Sequence, residues 1–263
     1  VHDRVELVEK ITDLKSAEVR SALALMGIKN HVELNFMGPF TERTGLGSSG
    51  AYMVSLVNLL NSFNGKRLTS VELAEAAAHI EIDVLGYDVG KQDHYIATYG
   101  GFIVLDIDRD NSVRVERLDL PESVVANLES HTIIFYTHQK RERASGKILG
   151  EQKELVMRGD SGVIDCYHQI KEIAYLRVKA LRAGDVIRCG ELFHQHWLVK
   201  RQLPGGVSNK FFDFLYEEAL KNGAIGGNLM GAGGGGFFIF FCEPDRRSML
   251  KEAMCGYGLE ELP

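Results

Sequence analysis

The segment Gly45-Leu46-Gly47-Ser48-Ser49-Gly50 constrains the fold of this chain more than any other six residues. Its glycines free the backbone from side-chain sterics, and the apolar run Ala51–Leu60 that follows predicts a buried helix. The turn therefore delivers the hydroxyls of Ser48 and Ser49 to a helix N-terminus. Unshielded amides and the positive end of the helix dipole favour phosphate there, and a serine hydroxyl can coordinate Mg²⁺. A tight turn in which serine caps the helix is the alternative.

The same segment matches the dinucleotide fingerprint G-x-G-x-x-G, but its context excludes that interpretation. The fingerprint needs a strand that runs straight into the glycines, then a helix, then a second strand. Here the predicted strand Val32–Phe36 is separated from Gly45 by the loop Met37–Thr44, and the turn Asn64-Gly65 leads to a second helix. A P-loop is also excluded, because no Gly-Lys-Ser/Thr closes the motif.

A second candidate, Glu81, lies on a predicted helix that begins at a capping box, Thr69–Glu72. On this helix Glu81 shares a mostly apolar stripe with Ala74, Ala78 and Leu85. A buried carboxylate is normally paired or bound to a metal. A glutamate that reaches solvent from the edge of the stripe is the alternative.

A third candidate, Asp93, ends the segment Gly90-Lys91-Gln92-Asp93, which we predict to be a loop closed by Gly100-Gly101. A carboxylate next to Lys91 could serve as a general base that a nearby cation keeps ionised. A solvated aspartate in a turn is the alternative.

A second glycine-rich segment runs from Gly231 to Gly236, just before the predicted strand Phe237–Cys242. Ordering so many glycines costs backbone entropy, so we expect a close approach to a ligand or to another backbone. Because a strand follows and not a helix, we expect this segment to support or cover a neighbouring loop. The residues with this expected role are Gly231, Gly233, Gly234 and Gly235.

Hydrophobic periodicity predicts both strands and helices. The predicted strands are Val5–Val8, Val32–Phe36, Phe102–Ile107, Val113–Leu118, Thr132–Tyr136 and Phe237–Cys242. The predicted helices are Ser16–Met26, Ala51–Leu60, Ser70–Leu85, Asn209–Asn222 and three between Arg143 and Gln202, with breaks at Gly159–Ser161 and Gly184. A change of texture near residue 129 predicts two domains, 1–128 and 129–263.

The charge balance, 36 acidic against 30 basic residues, includes no basic tract. This argues against a protein that binds the backbone of a nucleic acid. The longest strongly apolar stretch, Phe237–Cys242, is far shorter than the ~20 residues that span a bilayer. Cysteines without C-x-x-C spacing favour a reducing compartment. We therefore expect a cytoplasmic protein whose partners include neither nucleic acid nor membrane.

Taken together, these segments resemble the GHMP small-molecule kinases. Gly45–Ser49 is similar to that family's second motif and Asn228–Phe237 to its third. Within the family, the chain most resembles the bacterial D-glycero-D-manno-heptose 7-phosphate kinases, over nearly its whole length. The segments that carry this narrower resemblance are Gly90–Asp93, Gly100–Phe102, His194–Trp197, Lys200–Leu203 and Gly206–Asn209.

The resemblance implies a two-domain α+β fold, with an S5-domain-2-like N-terminal domain and a ferredoxin-like C-terminal domain that bind ATP and sugar between them. It implies that Ser49 and Glu81 are Mg²⁺ ligands and that Asp93 is the base facing the acceptor hydroxyl. The family's first motif would precede residue 1. The residues whose amides would cradle the triphosphate are Gly45, Leu46, Gly47, Ser48 and Ser49.

The implied activity is an ATP- and Mg²⁺-dependent phosphotransfer to the anomeric hydroxyl of a heptose 7-phosphate. Another sugar or sugar phosphate as acceptor is one alternative, and a non-catalytic sugar and ATP sensor of the same fold is another. A homodimer is compatible with each. We expect the acceptor's phosphate to be held by Lys91, Gln92, Lys200 and Arg201, although Lys200 and Arg201 could simply solvate a helix face.

Two positions depart from the family's pattern. Gly50 stands where alanine or serine is usual, and we expect this difference to be sterically harmless. Asn228 stands where lysine is common, which removes a cation near the third motif.

Overall fold

The computed structural model describes residues 5–36, 45–139 and 145–262. The predicted loop Met37–Thr44 lies outside these residues, as does the start of the first helix predicted after Arg143. Two compact units divide the described chain, 5–36 with 47–105 and 45–46 with 106–262. The predicted domain boundary at 128–129 rests on sequence texture and stays a prediction.

The first unit is helical over most of its described length. Its α-helices are α1 (Ala17–Leu25), α2 (Ser48–Phe63), α3 (Ser70–His79) and α4 (Gln92–Tyr99). Helix α1 begins where Ser16 accepts a hydrogen bond from the amide of Val19, and α3 begins at the predicted capping box of Thr69 and Glu72. A turn of π-helix, Ile80–Val84, continues α3.

The core of the first unit forms around one face of α2. Met53, Leu56, Val57 and Leu60 are buried there together with apolar residues of α1 and α3. Small alanines on α3, among them Ala77, let neighbouring backbones approach closely. Helix α4 packs against both α2 and α3, and this packing places its first turn next to the start of α2.

The predicted strands Val5–Val8 and Val32–Phe36 are wrong. Neither segment forms a helix or a strand in the described structure, and neither belongs to one of its sheets. The alternation in the second segment is real, because Val32 and Leu34 pack against the core while their neighbours are exposed. Leu7, in contrast, is 97% exposed. Alternation reports which face is buried, whereas a strand also needs a neighbour to bond with.

The chain then forms a two-stranded sheet of β1 (Ile103–Ile107) and β2 (Val113–Arg117). The second unit contains an antiparallel four-stranded sheet in the order β4-β5-β3-β6. Its strands are β3 (Thr132–Tyr136), β4 (Ala224–Leu229), β5 (Phe237–Cys242) and β6 (Glu260–Glu261).

Along the chain, helices precede, separate and follow the strands of this sheet, and they help to bury its apolar residues. They are α5 (Glu122–His131), α6 (Ser145–Met157), α7 (Ser161–Ala183), α8 (Val186–Lys200), α9 (Lys210–Lys221) and α10 (Arg247–Gly256). The core is rich in aromatic rings, and Trp197 of α8 lies against Phe238 of β5. No helix in the described part of the chain has the length and apolar character needed to cross a membrane.

Most of these elements agree with the predictions from the sequence. The predicted strands at β1, β2, β3 and β5 are confirmed, as are helices α1 to α3 and α6 to α9. Helices α4, α5 and α10 and strands β4 and β6 were not predicted. Strand β4 was hidden by Gly226 and Gly227, because glycine is depleted in strands and reads as a loop residue.

The glycine at position 226 is required by the close packing of α8 on β4. A Cβ added to Gly226 would lie 2.2 Å from the carbonyl oxygen of Gly190 and 2.7 Å from the amide nitrogen of His194. Both obstacles are backbone atoms of α8, so no side-chain rotation relieves the overlap. The helix and the strand would have to move apart.

We predict that Gly226→Ala lowers the free energy of unfolding by about 1–3 kcal/mol or more, the usual cost of overpacking a core. Urea unfolding measures the effect. Gly256→Ala is the matched control, because Gly256 is exposed, ends α10 and has no atom within 4 Å of an added Cβ. The control should be neutral or slightly stabilising. Equal stability of the two variants would contradict the packing argument.

Candidate functional site

The start of α2 lacks a side-chain cap from its own N-cap residue. Gly45 and Gly47 have φ angles of 90° and 70°, which favour glycine. Gly47 is the N-cap and supplies no side-chain capping bond, and the exposed residues Ser48 and Ser49 already lie inside the helix. Serine therefore does not cap α2. Among the described residues, the N-cap therefore gives the amides of the first turn no side-chain acceptor, as at helix termini that bind anions.

Behind this terminus lies a buried carboxylate. The side chain of Glu81 is 1% exposed and sits on the π-helical turn that continues α3, in the apolar stripe that the sequence indicated. The hydroxyl of Ser49 donates a hydrogen bond to its Oε1. The edge-of-stripe alternative, in which the glutamate reaches solvent, is therefore wrong.

The oxygen atoms of Ser49 and Glu81 form a donor set that fits Mg²⁺. This cation prefers hard oxygen ligands and is commonly held by one or two carboxylates together with substrate phosphates. Among the described residues, no group of three or more histidine, cysteine, aspartate or glutamate side chains is arranged to hold a metal. Phosphate oxygens and water are the ligands that commonly complete the coordination of Mg²⁺ held by one or two carboxylates.

The second carboxylate oxygen of Glu81 has its own partner, which was not predicted from the sequence. His94 Nε2 lies 2.6 Å from Glu81 Oε2, and the His94 side chain is also 1% exposed. The signal available in the sequence was indirect. A glutamate in an apolar stripe required a partner, and a histidine directly follows the candidate base Asp93.

Asp93 lies in the first turn of α4, so the loop predicted at this position is wrong. The loop ends at Lys91, the N-cap of α4, and Asp93 is half-buried. An added Cβ on Gly47 would lie 3.3 Å from the Asp93 carboxylate carbon, which shows that the carboxylate rests on the glycine turn. The structure thus places Asp93 beside the same helix terminus as Ser49 and Glu81.

Gly50 is sterically necessary in this structure, contrary to the expectation from the sequence. A Cβ at this position would lie 2.7 Å from Asp93 Cβ, 3.0 Å from the Asp93 carbonyl carbon and 3.1 Å from the His94 amide nitrogen. Real Cβ atoms essentially never show contacts as short as 2.7 Å, contacts of 3.0–3.1 Å are uncommon, and two of the obstacles are backbone atoms. An alanine or serine here would require α4 to lie farther from α2.

Lys91 is paired within the first unit. Its Nζ lies 2.7 and 3.0 Å from the two carboxylate oxygens of Glu75, which also accepts a hydrogen bond from the hydroxyl of Tyr95. Burial and this bond raise the pKa of Tyr95. The cluster ties the first turns of α4 to α3. The predicted roles of Lys91 and of exposed Gln92 in holding a substrate phosphate stay predictions.

In the second unit, Lys200 is bound to the start of the glycine-rich segment 231–236. Its Nζ lies 2.7 Å from the carbonyl oxygen of Leu229, 2.8 Å from that of Gly231 and 3.3 Å from Asn228 Oδ1. Asn228 was expected to remove a cation from this place. The structure places the Lys200 ammonium there instead.

The glycine-rich segment then packs against another loop. The amide of Gly234 donates to the carbonyl oxygen of Val207 at 2.9 Å, and an added Cβ on Gly233 would lie 2.5 Å from the same oxygen. Gly235 follows with a φ of 147°. Arg201 lies 3.8 Å from a carboxylate oxygen of Asp213. A substrate role for Lys200 and Arg201 stays a prediction.

Comparison with known proteins identifies relatives along both halves of the chain. Residues 11–101 match the family model of the GHMP kinases N terminal domain, and residues 178–258 match that of the GHMP kinases C terminal. The chain is 31% identical over 211 residues to D-glycero-alpha-D-manno-heptose 7-phosphate kinase of Campylobacter jejuni, covering 80% of this chain and 61% of that protein.

A second relative is mevalonate kinase of Methanothermobacter thermautotrophicus, 30% identical over 199 residues, which are 76% of this chain and 60% of that protein. The chain thus spans about three fifths of the length of these two relatives. Among solved structures, a D-glycero-D-manno-heptose 1-phosphate kinase from Bacteroides thetaiotaomicron matches with a TM-score of 0.74 and 21% identity, over 99% of this chain and 73% of that one. This likeness confirms the α+β fold class.

We predict that Gly50→Ala lowers the free energy of unfolding, although alanine is the better helix former by ~1 kcal/mol. The overlap with the backbone of α4 costs about 1–3 kcal/mol and should outweigh that gain. Thermal and urea unfolding measure the balance. Ala51→Ser, at the next and exposed position of α2, is the control and should be near neutral. A Gly50→Ala variant more stable than the parent would show that α4 moves without cost.

Proposed function

Because the chain belongs to the GHMP kinase family, we propose that the protein is a sugar kinase. It transfers the γ-phosphoryl group of ATP to the anomeric hydroxyl of D-glycero-D-manno-heptose 7-phosphate, giving the 1,7-bisphosphate. The observation that carries this proposal is the meeting of Ser49, Glu81 and Asp93 at the N-terminus of α2. Phosphoryl transfer depends chiefly on positioning and on neutralising charge, and this cluster offers groups for both.

The triphosphate is held by backbone amides. In the proposal these are the N–H groups from Gly45 to Ser49, with the hydroxyl of Ser48 available as a further donor. Glycine at positions 45 and 47 leaves the amides unshielded, and the uncapped helix terminus adds a favourable dipole. The chain gains this anion site without a lysine in the motif.

Ser49 and Glu81 hold Mg²⁺ in the proposal. A bound Mg²⁺ supplies neutralisation of the negative charge that the phosphates carry during transfer. Ser49 is exposed while Glu81 is buried beneath it, so the metal ligands run from the surface into the core.

Asp93 accepts the proton of the acceptor hydroxyl. As the acceptor oxygen bonds to the γ-phosphorus, the bond from that phosphorus to the β–γ bridging oxygen breaks and ADP leaves. The proton passes to the Asp93 carboxylate, which rests on the glycine turn that would hold the phosphates. A short fixed distance between base and cradle is what in-line transfer requires.

The choice of a heptose 7-phosphate as acceptor rests on the Campylobacter jejuni relative and on the motifs quoted above. A dianionic acceptor needs cations, and Lys91, Lys200 and Arg201, with Gln92, are the residues proposed to hold it. The mevalonate kinase relative keeps other acceptors in consideration. A cytoplasmic location and a homodimer also stay predictions.

An ATP-consumption screen tests the acceptor. The full-length protein is offered heptose 7-phosphate, heptose 1-phosphate, unphosphorylated heptose, galactose and mevalonate at equal concentration, with Mg²⁺ and ATP. We expect kcat/KM for heptose 7-phosphate to exceed that for every other acceptor by at least about tenfold, because a paired phosphate contributes on the order of 1.4 kcal/mol or more. A higher value for any other compound would move the proposal to that acceptor. If ATP is consumed with none of these compounds, the proposal that the protein phosphorylates one of them is wrong.

We predict that Asp93→Asn lowers kcat by ~10²–10⁴ and leaves ATP affinity almost unchanged, since asparagine keeps the shape but cannot accept a proton. Glu81→Gln should instead weaken the use of Mg²⁺, so that excess Mg²⁺ partly restores its rate. The measurements are steady-state kinetics across a Mg²⁺ series and calorimetry with ATP. Asp165→Asn, on the exposed face of α7, is the control for the substitution itself. An Asp93→Asn enzyme that keeps a tenth of the parent kcat would show that Asp93 is not the base.

A further inference from the structure

Glu81 is held on both sides by hydrogen-bond donors. Ser49 donates to Oε1 from the solvent side, and His94 Nε2 meets Oε2 at 2.6 Å in the interior. A carboxylate only accepts, so Nε2 is the donor. The other ring nitrogen of His94, Nδ1, has no hydrogen-bond partner among the described residues. The only hydrogen bond found for the His94 ring in this part of the chain is therefore the one to Glu81.

Because Glu81 and His94 are both buried, the hydrogen bond between them fixes the position of Glu81 Oε2. Glu81 and His94 are both 1% exposed, and the residues of the stripe next to Glu81 include fully buried Ala74 and Ala78. Water has little access to Oε2, and a buried acceptor without a donor is unfavourable. Without His94, the carboxylate would rotate or move toward Ser49 to find another donor.

The position of His94 on α4 links the candidate base Asp93 to the candidate metal ligand Glu81. Asp93 and His94 are consecutive, so their side chains leave the helix in different directions. Asp93 rests on the glycine turn, whereas His94 reaches Glu81. The His94 amide nitrogen is also one of the atoms that a side chain at position 50 would crowd. One turn of helix thus sets the candidate base and the orientation of the candidate metal ligand together.

We propose that His94 is a positioning residue for the metal site, which holds Oε2 of Glu81 so that Oε1 stays directed toward Ser49 and the metal. The inference rests on the proposed function, because it assumes that Ser49 and Glu81 bind Mg²⁺. Loss of a hydrogen bond that orients a metal ligand typically costs 10–100-fold in metal affinity. A purely structural role for His94 would lower stability and leave metal affinity unchanged.

Three substitutions separate these roles. His94→Gln places an amide N–H close to where Nε2 lies, His94→Asn places it nearer to Nδ1, and His94→Leu removes the donor. His79→Leu is the matched control, because His79 lies on α3 with half its side chain exposed and bonds only to Asp83 in the described structure. Thermal unfolding without metal reports stability for each variant.

The decisive measurement is the Kd for Mn²⁺, used as a probe for Mg²⁺, by electron paramagnetic resonance with a saturating non-hydrolysable ATP analogue. It needs no turnover. We expect His94→Leu and His94→Asn to raise the Kd about tenfold or more, and His94→Gln and His79→Leu to stay within about threefold of the parent.

The possible outcomes distinguish a failure of the proposed metal site from a failure of the role proposed for His94. Parent protein that binds the analogue but no Mn²⁺ would remove the metal site itself, and with it part of the proposed function. Parent protein that binds Mn²⁺ while His94→Leu keeps the same Kd would overturn only the role of His94. If His94→Leu does not fold, the comparison of His94→Gln with His94→Asn decides, and equal Kd values for those two would overturn the proposal.

Discussion

The approach of α4 to the start of α2 is the contact on which the candidate site depends. Gly47 and Gly50 leave no side chain between the two helices, so the backbone of Asp93 and His94 comes within van der Waals distance of the glycine turn. A glycine inside a helix is normally unfavourable by ~1 kcal/mol relative to alanine. Here the glycines allow the candidate base Asp93 to lie directly against the turn that forms the candidate phosphate cradle.

The buried carboxylate of Glu81 depends on the same contact. Its two oxygen atoms are satisfied from two different helices, by Ser49 of α2 and by His94 of α4. A buried charge is tolerated only when its hydrogen-bonding capacity is met. The π-helical turn after α3 is where Glu81 departs from regular helix, and such turns recur at functional sites. The packing of α2, α3 and α4 against one another therefore also brings this polar cluster together.

The second unit shows how a cation lost from one position can be supplied from another. Asn228 replaces the lysine that is common in the third motif, yet the ammonium of Lys200 bonds to the backbone around Asn228. Lys200 comes from the end of α8, which β4 holds close through Gly190 and Gly226. A comparison made one position at a time records a missing charge, whereas the packed unit retains one at the same place.

The sequence alone determined the local features: the glycine turn before α2, the capping box of α3, the stripe that buries Glu81, and the family to which these motifs belong. Each depends on residues within one or two helical turns of each other, so periodicity and composition carry the information. What depends on distant contacts was decided by the tertiary structure. Val32–Phe36 alternates like a strand but has no strand beside it in the described chain. Asp93 joins a helix, Gly50 becomes necessary and His94 finds Glu81 only because α4 packs on α2 and α3. No pattern within one segment records which backbone will lie against it, and that contact fixes the geometry of the site.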